Sequence, residues 1–199
     1  MPEDPDSLAE VGWCKFKIGD KEGAEQSLNQ ALSLNQDNIN TLSYLGIIYS
    51  VSEKNNEAYA TWSRCVLLNP KNADFKLRLG DACVNIDKYD EAINSYKDAL
   101  SLNKKLTEAN FGIAFAKLKK AISGEKTDRV LLEEALAAFK NITVSEPKND
   151  LAWTNLGVCY FKLNRYNDAS LAYKKALSIN PKNTEAQKNS AELDKAMKN

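Results

Sequence analysis

The residues best equipped for chemistry in this chain are few, and none stands where a reaction needs it. There is no histidine, which removes the usual general base near neutral pH and the commonest zinc ligand. The four cysteines, Cys14, Cys65, Cys83 and Cys159, form no Cys-x-x-Cys pair. Ser123-Gly124-Glu125-Lys126-Thr127 comes nearest to a phosphate loop. It lacks the upstream glycine and the Gly-Lys step that let backbone N–H groups and a lysine cradle phosphates, so it reads as a turn. The carboxylate pairs Asp90-Glu91 and Glu133-Glu134 have the types for acid–base work. Adjacent acids early in a helix are also what the macrodipole favours on a solvated face, and that reading is preferred. Asn141-Ile142-Thr143 fits a glycosylation triplet but falls inside a helical pattern. The expectation is a chain that is not an enzyme and uses neither cofactor nor metal.

Charge narrows the partners. Lysine and arginine total 27, as do aspartate and glutamate, so the formal charge is zero and general attraction to phosphate is missing. Lys117, Lys119, Lys120 and Lys126 make a local basic patch, but Glu125, Asp128, Glu133 and Glu134 are interleaved with it. Nucleic acid is therefore not expected. Nor is membrane insertion, because no stretch approaches the roughly 18 apolar residues a span requires. The opening Met-Pro-Glu-Asp-Pro-Asp has neither a basic segment nor an apolar run, so no signal peptide is expected. All four cysteines occupy slots that face local cores and read as buried, reduced thiols. Together these features predict a cytoplasmic protein.

The elements that must position these residues follow from a period of 34 residues. Segments 5–38, 39–72, 73–106 and 150–183 repeat in register, and 107–149 is the same unit with nine extra residues. A glycine slot recurs at Gly12, Gly46, Gly80 and Gly157, with Ala114 in the long unit. Small residues follow at Ala24, Ala58, Ala92, Ala135 and Ala169. Each unit carries two apolar stripes at helical spacing, separated by a short polar turn such as Ile18-Gly19-Asp20-Lys21. Asn69-Pro70-Lys71-Asn72, Glu146-Pro147-Lys148-Asn149 and Asn180-Pro181-Lys182-Asn183 are near copies, and the prolines stop the second helices there. Asp4-Pro5 reads as a helix cap followed by proline in the first turn. Such self-similarity predicts a stacked array, not one central core.

The fifth unit shows the pattern most fully: Trp153, Leu156, Gly157, Tyr160, Tyr166, Ala169, Tyr173, Ala176 and Pro181. Unit two keeps Leu42, Leu45, Gly46, Tyr49, Ala58, Trp62 and Pro70; unit three keeps Leu79, Gly80, Tyr89, Ala92, Tyr96 and Ala99 but has Lys104 in the proline slot. This series resembles the tetratricopeptide repeat family over about residues 5–199. The resemblance implies an all-α fold, a right-handed α-solenoid of five helix–turn–helix units over 5–183, with a capping helix over 184–199.

In the family, the first helices line an inner, concave wall. Carried onto this chain, the resemblance implies a partner-binding groove of Trp13, Phe16, Ile47, Val51, Leu77, Asp81, Val84, Phe111, Phe115, Val158, Phe161 and Lys162. The slot just after the glycine, commonly asparagine in the family, is Trp13, Ile47, Phe115 or Val158 in four units and Asp81 in the third. A contiguous apolar patch rimmed by charge marks an interaction site, suited to an amphipathic helix or an extended peptide. The competing reading is ordinary packing between neighbouring first helices, which would take up Phe16, Phe111 and Phe161. Chaperone-binding members clamp a C-terminal carboxylate with lysine, asparagine and arginine; the matching slots here hold Ala9, Trp13, Tyr44, Asp74 and Arg78, and only Arg78 fits.

Two further expectations concern the margins. The insertion lengthens both helices of unit four, through Lys119–Ile122 and Asp128–Leu132, and projects the loop 123–127. The N-terminal end, with Trp13 and Phe16 and no preceding cap, is the less protected one. It either continues into further units or joins a partner or a second copy. The favoured function is a protein–protein interaction adaptor for a protein or peptide partner. The alternatives are a structural subunit assembling through the array ends or the convex face, as a homo-oligomer through the N-terminal end or as part of a larger complex, and a regulatory repeat domain belonging to a larger enzyme.

Overall fold

The computed structural model describes residues 4–198, and among them every regular element is a helix. The helices are α1 Pro5–Lys17, α2 Lys21–Leu34, α3 Ile39–Val51, α4 Asn55–Leu68, α5 Ala73–Asn85, α6 Tyr89–Leu102, α7 Thr107–Ser123, α8 Arg129–Ser145, α9 Asp150–Lys162, α10 Tyr166–Ile179 and α11 Thr184–Ala196. Each 34-residue segment supplies one antiparallel pair, and the nine extra residues lengthen α7 and α8 to 17 residues each. The opening Met1–Glu3 and the final Asn199 of the expected cap lie outside the described residues.

The glycine slot is a helix crossing. A Cβ on Gly46 would sit 2.6 Å from Trp62, on Gly80 2.6 Å from Tyr96, and on Gly157 2.4 Å from Tyr173. The first helix therefore lies directly on an aromatic ring of the second, a distance only a bare backbone permits.

Asparagine starts the next pair. Asn38, Asn72, Asn149 and Asn183 each accept from the backbone N–H three residues on, capping α3, α5, α9 and α11. The Nδ2 of Asn38 also donates to Asp6 at 2.8 Å, and that of Asn183 to Asp150 at 2.7 Å. One side chain thus begins a helix and ties it to the preceding unit. Before α7 the same slot is Leu106, which makes no such cap.

Proline proves dispensable for stopping the second helices. α2 and α6 end at Leu34 and Leu102, although Gln36 and Lys104 stand in the proline slot. What α2, α4, α6 and α10 share is an asparagine just past the helix, Asn35, Asn69, Asn103 or Asn180, whose N–H still bonds back four residues.

The chain divides into two compact units, one ending at Lys104 and the other beginning at Lys105. In the first, Ala9 of α1, Ala24, Leu28 and Ala31 of α2, and Leu45 and Ile48 of α3 form a continuous core. In the second, α7, α8, α9 and α10 share a core around Leu118, Leu132, Leu136, Phe139, Leu156 and Cys159. Leu193 of α11 packs with Ala169 and Tyr173 of α10.

One thiol departs from expectation. Cys65, Cys83 and Cys159 are buried, but Cys14 is exposed. Cys14 and Cys159 both lie two residues after the glycine. In units two and five that slot is covered by the second helix of the preceding pair, as when Ile48 packs on Ala24, Leu28 and Ala31 of α2. Among the described residues no such helix precedes α1.

Candidate functional site

In the first compact unit, same-slot side chains of α1 and α3 touch. Tyr44 donates to Glu10 at 2.7 Å, and Asn40 to Asp6 at 3.3 Å. Both pairs are separated by one repeat, so the two first helices lie side by side and present one wall. Trp13 stacks on Tyr44 with ring centroids 4.8 Å apart and planes 7° from parallel; Phe16 is the next ring, 5.6 Å from Trp13. The Lys17 ammonium lies 4.8 Å from the Trp13 ring, a cation–π contact. Tyr44 and Glu10 were not among the residues expected from sequence, although their one-repeat separation was visible there. The hydrogen bond to Glu10 raises the Tyr44 pKa, because a phenolate would lose it.

The other candidates in this unit, on α3 and α5, differ in exposure. Ile47 is half-buried, and Val51 is 62% exposed. Leu77 and Val84 are buried by helix packing, at 8% and 9% exposure, and offer almost no contact surface. Between them Asp81 accepts from the Tyr96 hydroxyl at 2.8 Å and has Arg78 at 3.8 Å on its other oxygen. About half of the Asp81 side chain, 49%, reaches solvent. Surrounding protein nevertheless desolvates the carboxylate enough to raise its pKa, with Tyr96 and Arg78 partly offsetting the rise.

In the second unit Phe111 and Phe115 stack along α7 at 6.2 Å, and Phe111 meets the buried Phe139 edge-on at 5.5 Å. Phe111 is thus partly a core residue, as the packing alternative expected. Val158 packs against both core clusters of this unit and remains half-buried. Phe161 leans on Tyr166 at 5.8 Å, and the Lys162 ammonium lies 5.8 Å from its ring. Lys162 itself is exposed.

The groups first considered for chemistry are scattered. The loop after α7 is exposed, with Asp128 capping α8. Glu134 pairs with Lys117 at 2.7 Å, and Glu91 accepts from Tyr59 at 2.9 Å. Among the described residues no three His, Cys, Asp or Glu side chains gather as metal ligands, and no helix is long and apolar enough to cross a membrane.

Models of the tetratricopeptide repeat match residues 5–38, 73–106 and 151–183, about half of the chain. The chain belongs to the tetratricopeptide repeat family. Among curated proteins, this repeat protein is similar to the BBSome complex member bbs-4 of Caenorhabditis elegans, 25% identical over 173 residues that cover 85% of this chain and 35% of bbs-4. It spans about a third of the length of the curated relatives it matches. Among solved structures, the fold matches YrrB, a tetratricopeptide repeat protein described as having an unusual peptide-binding site, with a TM-score of 0.72, 23% identity and coverage of 92% of this chain and 90% of YrrB. PilW, a type IV pilus biogenesis factor, gives a TM-score of 0.79 at 18% identity, covering 98% of this chain and 86% of PilW.

Proposed function

We propose that this repeat protein is a protein–protein interaction adaptor that holds a peptide or helix of a partner against its first-helix walls. The observation that carries the reading is the slot after the glycine. Trp13, Ile47, Phe115 and Val158 are all apolar there and all only half-buried. A wall meant only for solvent would not need them. Phe16 lies beside Trp13, Phe111 stacks on Phe115, and Phe161 packs on the same core as Val158. Recognition by such a wall needs no reactive group, and the protein acts without catalysis, in the cytoplasm.

The test is affinity capture from the source cells with the wild type and the Ile47→Asp/Phe115→Asp variant. Loss of the captured partner with unchanged helicity by circular dichroism supports the groove; equal capture removes it. A second reading, assembly as a structural subunit, has one specific support: Val11 and Cys14 expose part of the outer face of α1. Light scattering at micromolar concentration decides that point, since a monomer speaks against self-assembly. As a segment of a longer chain, the repeats would serve the same adaptor role within it.

A further inference from the structure

The wall that α1 forms with α3 carries its charges in a fixed order, and this inference rests on the groove reading above. We infer that it takes an extended segment of a partner protein in which an apolar side chain is flanked, two residues away on either side, by a lysine or arginine and by an aspartate or glutamate. Asp6, Glu10, Trp13 and Lys17 follow one another at intervals of four, three and four residues, which puts them on one face of α1. That face is turned to α3. Asp6 accepts from Asn38 at 2.8 Å and from Asn40 at 3.3 Å, Glu10 accepts from Tyr44 at 2.7 Å, and Trp13 stacks on Tyr44. From the start of α1, the stripe therefore runs as two exposed acids, a half-buried ring and an exposed cation.

Little else on these two helices disturbs that order. α3 contributes no charged residue, and Lys15, the remaining charge of α1, donates to Ser27 of α2 at 3.0 Å. Both carboxylates are held by neutral donors, so they are oriented without being neutralised. Lys17 rests on the Trp13 ring at 4.8 Å, an exposed cation–π contact that a ligand carboxylate can compete with. The helix macrodipole accounts for an acid in the first turn and a lysine in the last, but it has no use for Glu10 in the middle. At a rise of about 1.5 Å per residue, Trp13 lies about 7.5 Å along α1 from the midpoint of the acids and about 6 Å from Lys17. Alternate side chains of an extended chain are about 6.6–6.8 Å apart. Successive same-side residues of a ligand therefore meet acids, ring and lysine in turn. Glu10 and Lys17 are about 10 Å apart along the axis, so the two ends act on different ligand residues.

The probes are peptides with blocked ends: Arg-Ser-Leu-Ser-Glu, compared with Glu-Ser-Leu-Ser-Glu and Arg-Ser-Leu-Ser-Arg. Each is titrated to millimolar concentration while the Trp13 indole N–H is followed by NMR. The mixed-charge peptide should bind about fivefold tighter than either of the others, the factor that one exposed ion pair and one relieved like-charge contact supply. Asp6→Asn/Glu10→Gln, which keeps acceptors for Asn38, Asn40 and Tyr44, should abolish the preference over the all-acidic peptide and leave the other preference in place. Lys17→Met should do the reverse, with helicity checked for both variants. Affinities that follow net charge alone, unmoved by these substitutions, overturn the ordered stripe, as does the absence of a Trp13 shift with all three peptides. Loss of the cellular partner in Ile47→Asp/Phe115→Asp without the charge preference overturns this inference alone. If that double variant keeps its partner, the groove reading fails and this inference with it.

Discussion

Units one and five use the same slots and live in different surroundings. In unit five, Gly157 lies under the ring of Tyr173, Cys159 is sealed against Leu132, Leu136 and Phe139 of α8, and Leu193 of α11 closes the far side. In unit one, Gly12 lies over Leu28, while Cys14 faces solvent and Val11 is 47% exposed. Crossing within a pair is set by that pair's own residues. Burial of the outer slots is set by the neighbouring pair, so one residue type in one slot has two environments.

The largest test strikes the crossings. Tyr173→Ala removes a ring buried among Ala169 and Leu193 and should cost about 3–5 kcal/mol in urea unfolding. Leu28→Ala, at the matching slot of unit one, should cost about 2–5 kcal/mol. If Leu28→Ala left stability unchanged, the first pair would not be held by the same crossing, and the comparison would break.

The thiols sharpen the comparison most directly. Burial pushes Cys65 up to about 11 and Cys83 and Cys159 up to about 12, from an ordinary value of 9.0. Iodoacetamide reacts with thiolate, so at about pH 8 the native protein should take one label, at Cys14, and the unfolded protein four. Mass spectrometry counts the labels, and rapid native labelling of Cys159 would contradict the sealed fifth unit. The same burial fixes a pH trend. The folded state holds these three protons to higher pH than the unfolded state does. Stability from the buried thiols is therefore intact below about pH 9 and falls as pH rises toward about 11–12. Substituting Cys159 by Ala should flatten that alkaline decline.

What was legible in the sequence follows the same division. The pairing of Gly46 with Trp62 and of Gly157 with Tyr173 could be read from period and residue size, because both partners belong to one unit. So could the cap at Asp4, which the structure completes with a 2.9 Å bond from the Ser7 N–H. The exposure of Cys14 could not, because it depends on what packs outside α1 and not on the residues around it. The burial of Leu77 and Val84 escaped for a similar reason: an inner-wall slot shows its helix face but not how closely adjacent helices approach. The Trp13–Tyr44 stack sits between these cases. Its residues were in view, but contact across units requires a register that residue types alone do not give.

The asparagine caps offer a smaller test. α3, α5, α9 and α11 begin on a side-chain bond that α7 lacks, since Leu106 stands there. Leu106→Asn should stabilise the second unit by about 0.5–2 kcal/mol, while Asn149→Ala should remove a similar amount. Asn149 also donates to Glu146 at 2.9 Å, so its loss should fall toward the upper end. Thermal melts of both variants measure the pair, and no gain from Leu106→Asn would mean that the start of α7 is fixed by something other than its cap.

The smallest effect lies in the turns between paired helices, where four units need the same backbone and only one has the residue suited to it. Gly19 sits at φ +91°, and the matching positions in units two, three and five, Glu53, Asp87 and Asn164, are held at φ 56°, 61° and 60°. Left-handed backbone costs an L residue about 1–2 kcal/mol, least for asparagine and aspartate, whose short side chains bond locally. Glu53 has no such local advantage and is the most strained of the three. Glu53→Gly relieves that strain but lets the unfolded chain wander more, so the net gain should be about 0.5–1 kcal/mol. The same change at Asn164, whose side chain already accepts from Tyr166 at 3.0 Å, should gain nothing. Urea midpoints for the two glycine variants decide it: equal gains would mean that Asn164 is as strained as Glu53, and no gain from Glu53→Gly would mean that the difference between Gly19 and its counterparts has no net energetic content.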